Sequence, residues 1–265
     1  MSEPAQTLKV LVSGGPGTGK TWFGCSFPKV AYVGTEPGGL DSVTQNPEPR
    51  AQELQQHLVL QDTYIPTVLE DIKLTFQRLE ESLKYAHALA KEGKVESLVL
   101  DNITFLSLNR WLYMEKYECK RTGSGEVDTR GMYGALALWM YRFILLNVVS
   151  FPGHVVICAH EQLESEEDQK SHLYANLPIT PDLLGSMKYR VAGLVSASIY
   201  LNRRTLSPGK WSFEARCIEG AGKRAKNRYG LKEIVTDISY DSIIAEIRNG
   251  RQVGGASGPS AISPS

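Results

Sequence analysis

Residues 14–21 read Gly14-Gly15-Pro16-Gly17-Thr18-Gly19-Lys20-Thr21 and fit G-x-x-x-x-G-K-[ST] at every fixed position. The surroundings agree. Leu8-Lys9-Val10-Leu11-Val12 reads as a short buried strand, and Trp22-Phe23-Gly24-Cys25 begins a helix. In a strand–loop–helix of this kind the glycines let successive backbone N–H groups turn inward round a phosphate chain, at the positive end of the helix. Gly14 to Thr21, with Trp22 just beyond them, are therefore assigned to a nucleoside triphosphate site. Lys20 is expected to reach the β- and γ-phosphates, and the Thr21 hydroxyl to ligate Mg²⁺. The alternative is a glycine-rich turn that matches by accident, and the flanking strand and helix argue against it. ATP is the default nucleotide, because nothing in the loop reads the base.

Composition sets the outer limits. A chain of 265 residues holds one large α/β domain or two small ones. Its formal net charge is zero, so any nucleic-acid binding has to come from local patches. Cys25, Cys119, Cys158 and Cys217 are scattered without a C-x-x-C pair, which favours a reducing cytosol over a disulfide framework or a zinc site. The polar start Met1-Ser2-Glu3-Pro4-Ala5-Gln6 has no apolar signal core. The most apolar run, Ala135 to Val149, is broken by Arg142 and Asn147 and reads as too short for a bilayer. A cytoplasmic protein without a membrane partner is the expectation.

Along the chain, Val30-Ala31-Tyr32-Val33-Gly34 reads as a second buried strand running into Thr35-Glu36. His57 to Leu60 is a further short strand. From Ile65, Leu69, Ile72, Phe76, Leu79, Leu83, Ala86 and Ala90 recur at spacings of three and four, which predicts an amphipathic helix ending by Gly93. Ser97 to Asp101 is an apolar strand closed by a carboxylate, and a helix follows between Asn102 and Cys119. Lys120 to Arg130 reads as an exposed loop, Tyr133 to Val149 as a helix, and His154 to Ala159 as a strand ending in His160-Glu161-Gln162. Val195–Leu201 and Trp211–Ile218 form a predicted hairpin across Ser207-Pro208-Gly209-Lys210. A last helix is expected over Ser239–Asn249. The Gly/Ser/Pro-rich residues 250–265 read as a disordered tail behind a single domain, 1–249.

Four further positions carry chemistry. Asp101, at the end of an apolar strand, is placed to hold the Mg²⁺ water shell near Thr21. Glu36 is the candidate general base that orients and polarises an attacking water; otherwise it is a surface residue before a Pro-Gly turn. His160 ends a strand on the same sheet edge and is a candidate hydrogen-bond donor to the γ-phosphate, with Gln162 as its substitute, although a lone histidine is often structural. Lys226 and Arg228 are two apart, so on an extended segment they point the same way. They suit a transferring phosphoryl group, nucleic-acid phosphates or a merely solvated basic turn.

In this order the phosphate loop, Val33-Gly34-Thr35-Glu36, Leu98-Val99-Leu100-Asp101-Asn102 and Ile157-Cys158-Ala159-His160 resemble the core of RecA-type recombinases, and among them the phage nucleotide-binding proteins that consist of little more than that core. Tyr133-Gly134, before the fourth helix, and the late Lys226-Asn227-Arg228-Tyr229-Gly230 fit the same group, so the resemblance runs from about Leu8 to Gly230. It implies an α/β fold, a RecA-like P-loop NTPase core with a mostly parallel sheet flanked by helices and a late antiparallel hairpin. It implies a Mg²⁺-dependent ATPase stimulated by single-stranded DNA, acting in strand annealing or homologous recombination in a phage-infected or bacterial cytosol. The assembly implied is a homo-oligomeric filament or ring with ATP between subunits, with a single-strand-binding protein as a further partner. Glu36 then corresponds to the catalytic glutamate, His160 to the γ-phosphate sensor, and Lys226 and Arg228 to fingers reaching an adjacent subunit's nucleotide. Lys120–Arg130 and Glu161–Gly185 would lie where such proteins grip DNA. The second of these departs from the pattern, being acidic at Glu161, Glu164, Glu166, Glu167 and Asp168. Lys170, His172, Tyr174 and Lys188 are its better DNA candidates.

Three other readings compete. A packaging or helicase-type motor usually brings an extra domain. A small-molecule kinase needs an arginine-rich lid and an acceptor pocket. A nucleotide-gated binding module would hydrolyse little.

Overall fold

A computed structural model describes residues 7–66, 71–119, 128–161, 181–183, 187–207, 210–217 and 225–254. Four strands build its centre: β1 (Lys9–Gly14), β2 (Val30–Gly34), β4 (Ser97–Asp101) and β5 (His154–His160), with β3 (Leu58–Thr63) at one edge. Their residues are almost all buried, as expected of parallel strands covered on both faces. Side chains alternate between two cores. Leu11, Val155, Ile157 and Ala159 face one; Val10, Val12, Val156 and Cys158 face the other. Each fully buried aliphatic side chain is worth about 1.5–3 kcal/mol.

The first core is covered by α4 (Ile72–Lys91), α5 (Ile103–Tyr117), α6 (Thr129–Phe143) and α7 (Met187–Leu194). The second is covered by α1 (Lys20–Cys25), α3 (Pro49–Gln56) and α8 (Tyr240–Gly254), with the short α2 (Asp41–Thr44) beside them. On the far edge lie β6 (Ala197–Ser207), β7 (Lys210–Arg216) and β9 (Ile234–Thr236), while β8 (Lys226–Asn227) pairs with the start of β6. Strand order is β3-β2-β4-β5-β1-β6-β7-β9. The pairs from β3 to β6 are parallel, and β6–β7 is the predicted antiparallel hairpin. This is an α/β fold, a mostly parallel sheet covered by helices on both faces with a late antiparallel hairpin. The phosphate-loop strand and the Asp101 strand are not neighbours; β5 stands between them and brings His160 to the same edge.

Several boundaries differ from the sequence reading. α4 starts at Ile72, not Ile65: Pro66 biases its predecessor away from helix. α6 begins at Thr129, so Thr129 and Arg130 leave the predicted loop and Tyr133-Gly134 lie inside the helix. The Asp128 carboxylate caps this end by accepting from the Gly131 amide at 2.9 Å. The helix continues as a π-helix over Ile144–Val149. Thr129–Val149 is thus 21 residues, long and apolar enough to cross a membrane by length and composition, against the expectation that the run is too short. Its inner face, including Leu136, Met140, Phe143, Ile144 and Val148, packs into the first core. α8 runs on to Gly254 rather than ending at Asn249, and so takes in the first residues assigned to the tail. Gln162, Lys170, His172 and Tyr174, residues 120–127 of the first predicted DNA loop and residues 255–265 lie outside the described residues.

Candidate nucleotide-binding site

The loop between β1 and α1 forms one wall of a cleft of about 350 Å³. Pro16 to Trp22 line it, facing Glu36, Asp101 and His160 from three strand ends and Arg203 and Phe213 from the hairpin. Gly17 and Gly19 have φ of 70° and 90°, conformations that glycine adopts without strain. At Gly19 there is a second constraint, since a Cβ would lie 2.8 Å from the Phe213 ring. Gly14 accepts no side chain either: Leu201 O would be 2.5 Å from its Cβ. The Lys20 ammonium donates to Gly14 O at 2.9 Å and Gly15 O at 2.8 Å, and the Thr18 hydroxyl bonds Gly15 O. Lys20 therefore bridges the loop it belongs to, and a phosphate chain has to draw it away from these carbonyls.

Thr21 and Asp101 meet as predicted. The Thr21 hydroxyl donates to Asp101 Oδ2 at 2.7 Å, and the Tyr32 phenol donates to the same oxygen at 3.1 Å. Asp101 is buried, and burial pushes its carboxyl above the usual range, with the nearby charge of Glu36 adding to the effect. The Thr21 hydrogen bond, the Lys20 charge and the Tyr32 hydrogen bond act the other way. A hydroxyl and a carboxylate side by side are hard oxygen donors that fit Mg²⁺, a cation that takes one or two protein oxygens and fills the rest of its shell with phosphate and water.

Glu36, Asn102 and His160 converge opposite. The Asn102 amide nitrogen donates to Glu36 Oε2 and lies 3.1 Å from His160 Nε2, which is itself 3.3 Å from Glu36 Oε2. Nε2 accepts from Asn102 when unprotonated and donates to Glu36 when protonated. The hydrogen bond with His160 holds the Glu36 carboxyl below the usual carboxylate range despite partial burial, helped by the charges of His160 and Lys20 and by the Asn102 amide. Thr35 braces this corner. Its backbone N–H donates to Asp101 O at 2.7 Å, and its hydroxyl bonds Asn102 O.

The two late cations separate. The Lys226 ammonium donates to Val195 O at 2.7 Å, Ala192 O at 3.0 Å and Gly193 O at 3.3 Å, closing the C-terminal end of α7. All three donor positions are used, so the expectation of a free finger at Lys226 is corrected: tertiary packing gives the lysine a helix end to cap. Arg228 is exposed, and its guanidinium has no hydrogen-bond or ion-pair partner among the described residues. Its amide bonds Ser196 O, level with the start of β1, so it sits about five residues, roughly 16 Å, below this chain's own phosphate loop.

Sequence reasoning missed four contributors: Tyr32, Asn102, Phe213 and Arg203. Glu161, first of the acidic residues that depart from the DNA-loop pattern, accepts from the Tyr200 phenol at 2.6 Å and rests where a side chain on Gly15 would be, 2.8 Å from an added Cβ.

A glycine loop on a helix N-terminus, a Thr–Asp pair and a strand-end glutamate round one cleft define a P-loop NTPase. Residues 6–229 match the model of the AAA domain family, and the chain belongs to that family of P-loop ATPase domains. A search of curated proteins gave no match. Among solved structures, one similar chain is a prototypical ATPase from the type III secretion system of pathogenic bacteria, at 14% identity and TM-score 0.48 over 95% of this chain and 64% of that one. Another is the flagellar accessory protein FlaH from Methanocaldococcus jannaschii, at 13% identity and TM-score 0.40, covering 86% and 84%. This chain thus spans less than two thirds of the secretion ATPase's length.

Proposed function

We propose that this protein is a Mg²⁺-dependent ATPase that works on single-stranded DNA, in annealing or homologous recombination, as a homo-oligomeric ring or filament in the cytosol. The observation that carries the hydrolytic part is the Glu36–Asn102–His160 cluster facing Lys20 across the cleft. Glu36 orients a water on the γ-phosphorus and accepts its proton as the new P–O bond forms and the bond to the β-phosphate bridging oxygen breaks. Lys20 and the loop N–H groups hold the phosphate oxygens while charge moves towards the ADP leaving group. Mg²⁺, when bound, offsets charge on the β- and γ-oxygens, and Thr21 and Asp101 would hold it.

The DNA part rests on the resemblance of the ordered motifs to recombinase cores. It is supported by the position of His160, bonded to the candidate base and immediately ahead of the segment assigned to DNA. Exposed Arg228, too far from its own cleft to act there, suits contact with a neighbour's nucleotide.

The test is ATP turnover with and without single-stranded DNA for wild type, Lys20→Ala and Arg228→Ala, with particle mass followed by light scattering and a bacterial single-strand-binding protein added in a parallel series. DNA-stimulated turnover that both substitutions abolish, while Arg228→Ala still binds nucleotide, supports the proposal. Turnover indifferent to DNA and to protein concentration overturns it in favour of a kinase or a nucleotide-gated module.

A further inference from the structure

We propose that Tyr32 is a positioning residue for the metal-side carboxylate, and that the glycines at 34 and 39 exist to admit it. Tyr32 lies in the middle of β2 and is 1% exposed. A phenylalanine would fill the same core without bringing a hydroxyl into it, and burying a hydroxyl costs free energy unless it finds a partner. Its partner is Asp101 Oδ2, the oxygen that also accepts from Thr21. Two hydroxyl donors on one carboxylate oxygen fix its rotation and hold Oδ2 towards the loop.

A side chain on either of two neighbouring glycines would crowd the ring in this position. A Cβ on Gly34 would lie 3.0 Å from a Tyr32 ring carbon, and one on Gly39 would lie 3.0 Å from the hydroxyl. Neither glycine has a positive φ, so backbone conformation does not require glycine at either position. Gly39 belongs to the turn that follows Glu36, and its N–H bonds Glu36 O. The Tyr32 hydroxyl thus lies between the carboxylate on β4 and the turn that follows β2 and carries the candidate base.

The inference rests on the reading of Thr21 and Asp101 as the metal side of the site. It is tested by titrating Mg²⁺ into protein with a fluorescent ATP analogue, against an EDTA control, for wild type, Tyr32→Phe, Gly39→Ala and the double variant. Substitution of a group that orients a metal ligand typically weakens metal affinity about 10- to 100-fold. Tyr32→Phe is expected to raise the Mg²⁺ midpoint by about tenfold or more while affinity in EDTA stays within about twofold of wild type. Gly39→Ala, which sets a methyl group 3.0 Å from the hydroxyl, is expected to give the same defect. The double variant should be no worse than Tyr32→Phe alone, because the two act through one contact. A Mg²⁺ midpoint unchanged in both single variants, or additive defects, overturns the proposal. Wild-type binding indifferent to Mg²⁺ would overturn the metal reading of Thr21 and Asp101, and this inference with it.

Discussion

Glu36 Oε2 and His160 Nε2 lie 3.3 Å apart although β4 separates their strands in the sheet. The contact is the largest influence holding the Glu36 carboxyl below its ordinary range. A base must be deprotonated to act, so a lowered pKa extends activity towards lower pH. Substituting His160→Ala should move the acid limb of the kcat/KM profile to higher pH, towards that of an ordinary glutamate. Glu36→Gln should lower kcat by about 10²–10⁴-fold with nucleotide binding retained. A pH–rate series on the three proteins checks both; an acid limb that stays in place in His160→Ala would detach the histidine from the base.

Asp101 should show the opposite balance between function and stability. Its folded-state pKa is raised chiefly by burial. The stability it contributes is therefore present at low pH and lost as pH rises through the folded value. At neutral pH the ionised side chain is a cost. Asp101→Asn keeps the shape and an oxygen for the two hydroxyls, and is expected to raise Tm by roughly 2–4 °C at pH 7 while Mg²⁺-dependent turnover collapses. Thermal denaturation at pH 4 and pH 7 is the check, with the gain confined to the higher pH.

Lys226 and Arg228 should part company in the same assays. Lys226→Met leaves three carbonyls at the end of α7 without their donor and is expected to cost about 1–2 kcal/mol in urea denaturation, with turnover per folded molecule retained. Arg228→Ala should leave stability within about 0.5 kcal/mol and reduce turnover only in the assembled protein. Equal stability losses would return both residues to a structural role.

The pattern in these residues explains what could be read from the chain. The phosphate loop was legible because its geometry is local: glycines, lysine and threonine act within eight consecutive positions. Asp101 and Glu36 were legible because buried parallel strands deliver whatever ends them to one edge. Lys226 was not, since its partners lie more than thirty positions away, in α7 and just after it, and depend on how β8 pairs with β6. Tyr32 and Phe213 look like ordinary core aromatics in sequence; only the fold brings one to Asp101 and the other to Gly19. The short helices α2 and α3 went unread because neither carries a long apolar period.

Asn102 has two employments. Its amide nitrogen serves Glu36, and its Oδ1 accepts the Phe105 N–H at 2.9 Å, closing the first turn of α5. Fraying of that turn is therefore expected to loosen one of the contacts that hold the glutamate. Deuterium uptake at a single amide, that of Phe105, becomes a gauge of how firmly the candidate base is held, legible in a protein that is turning nothing over.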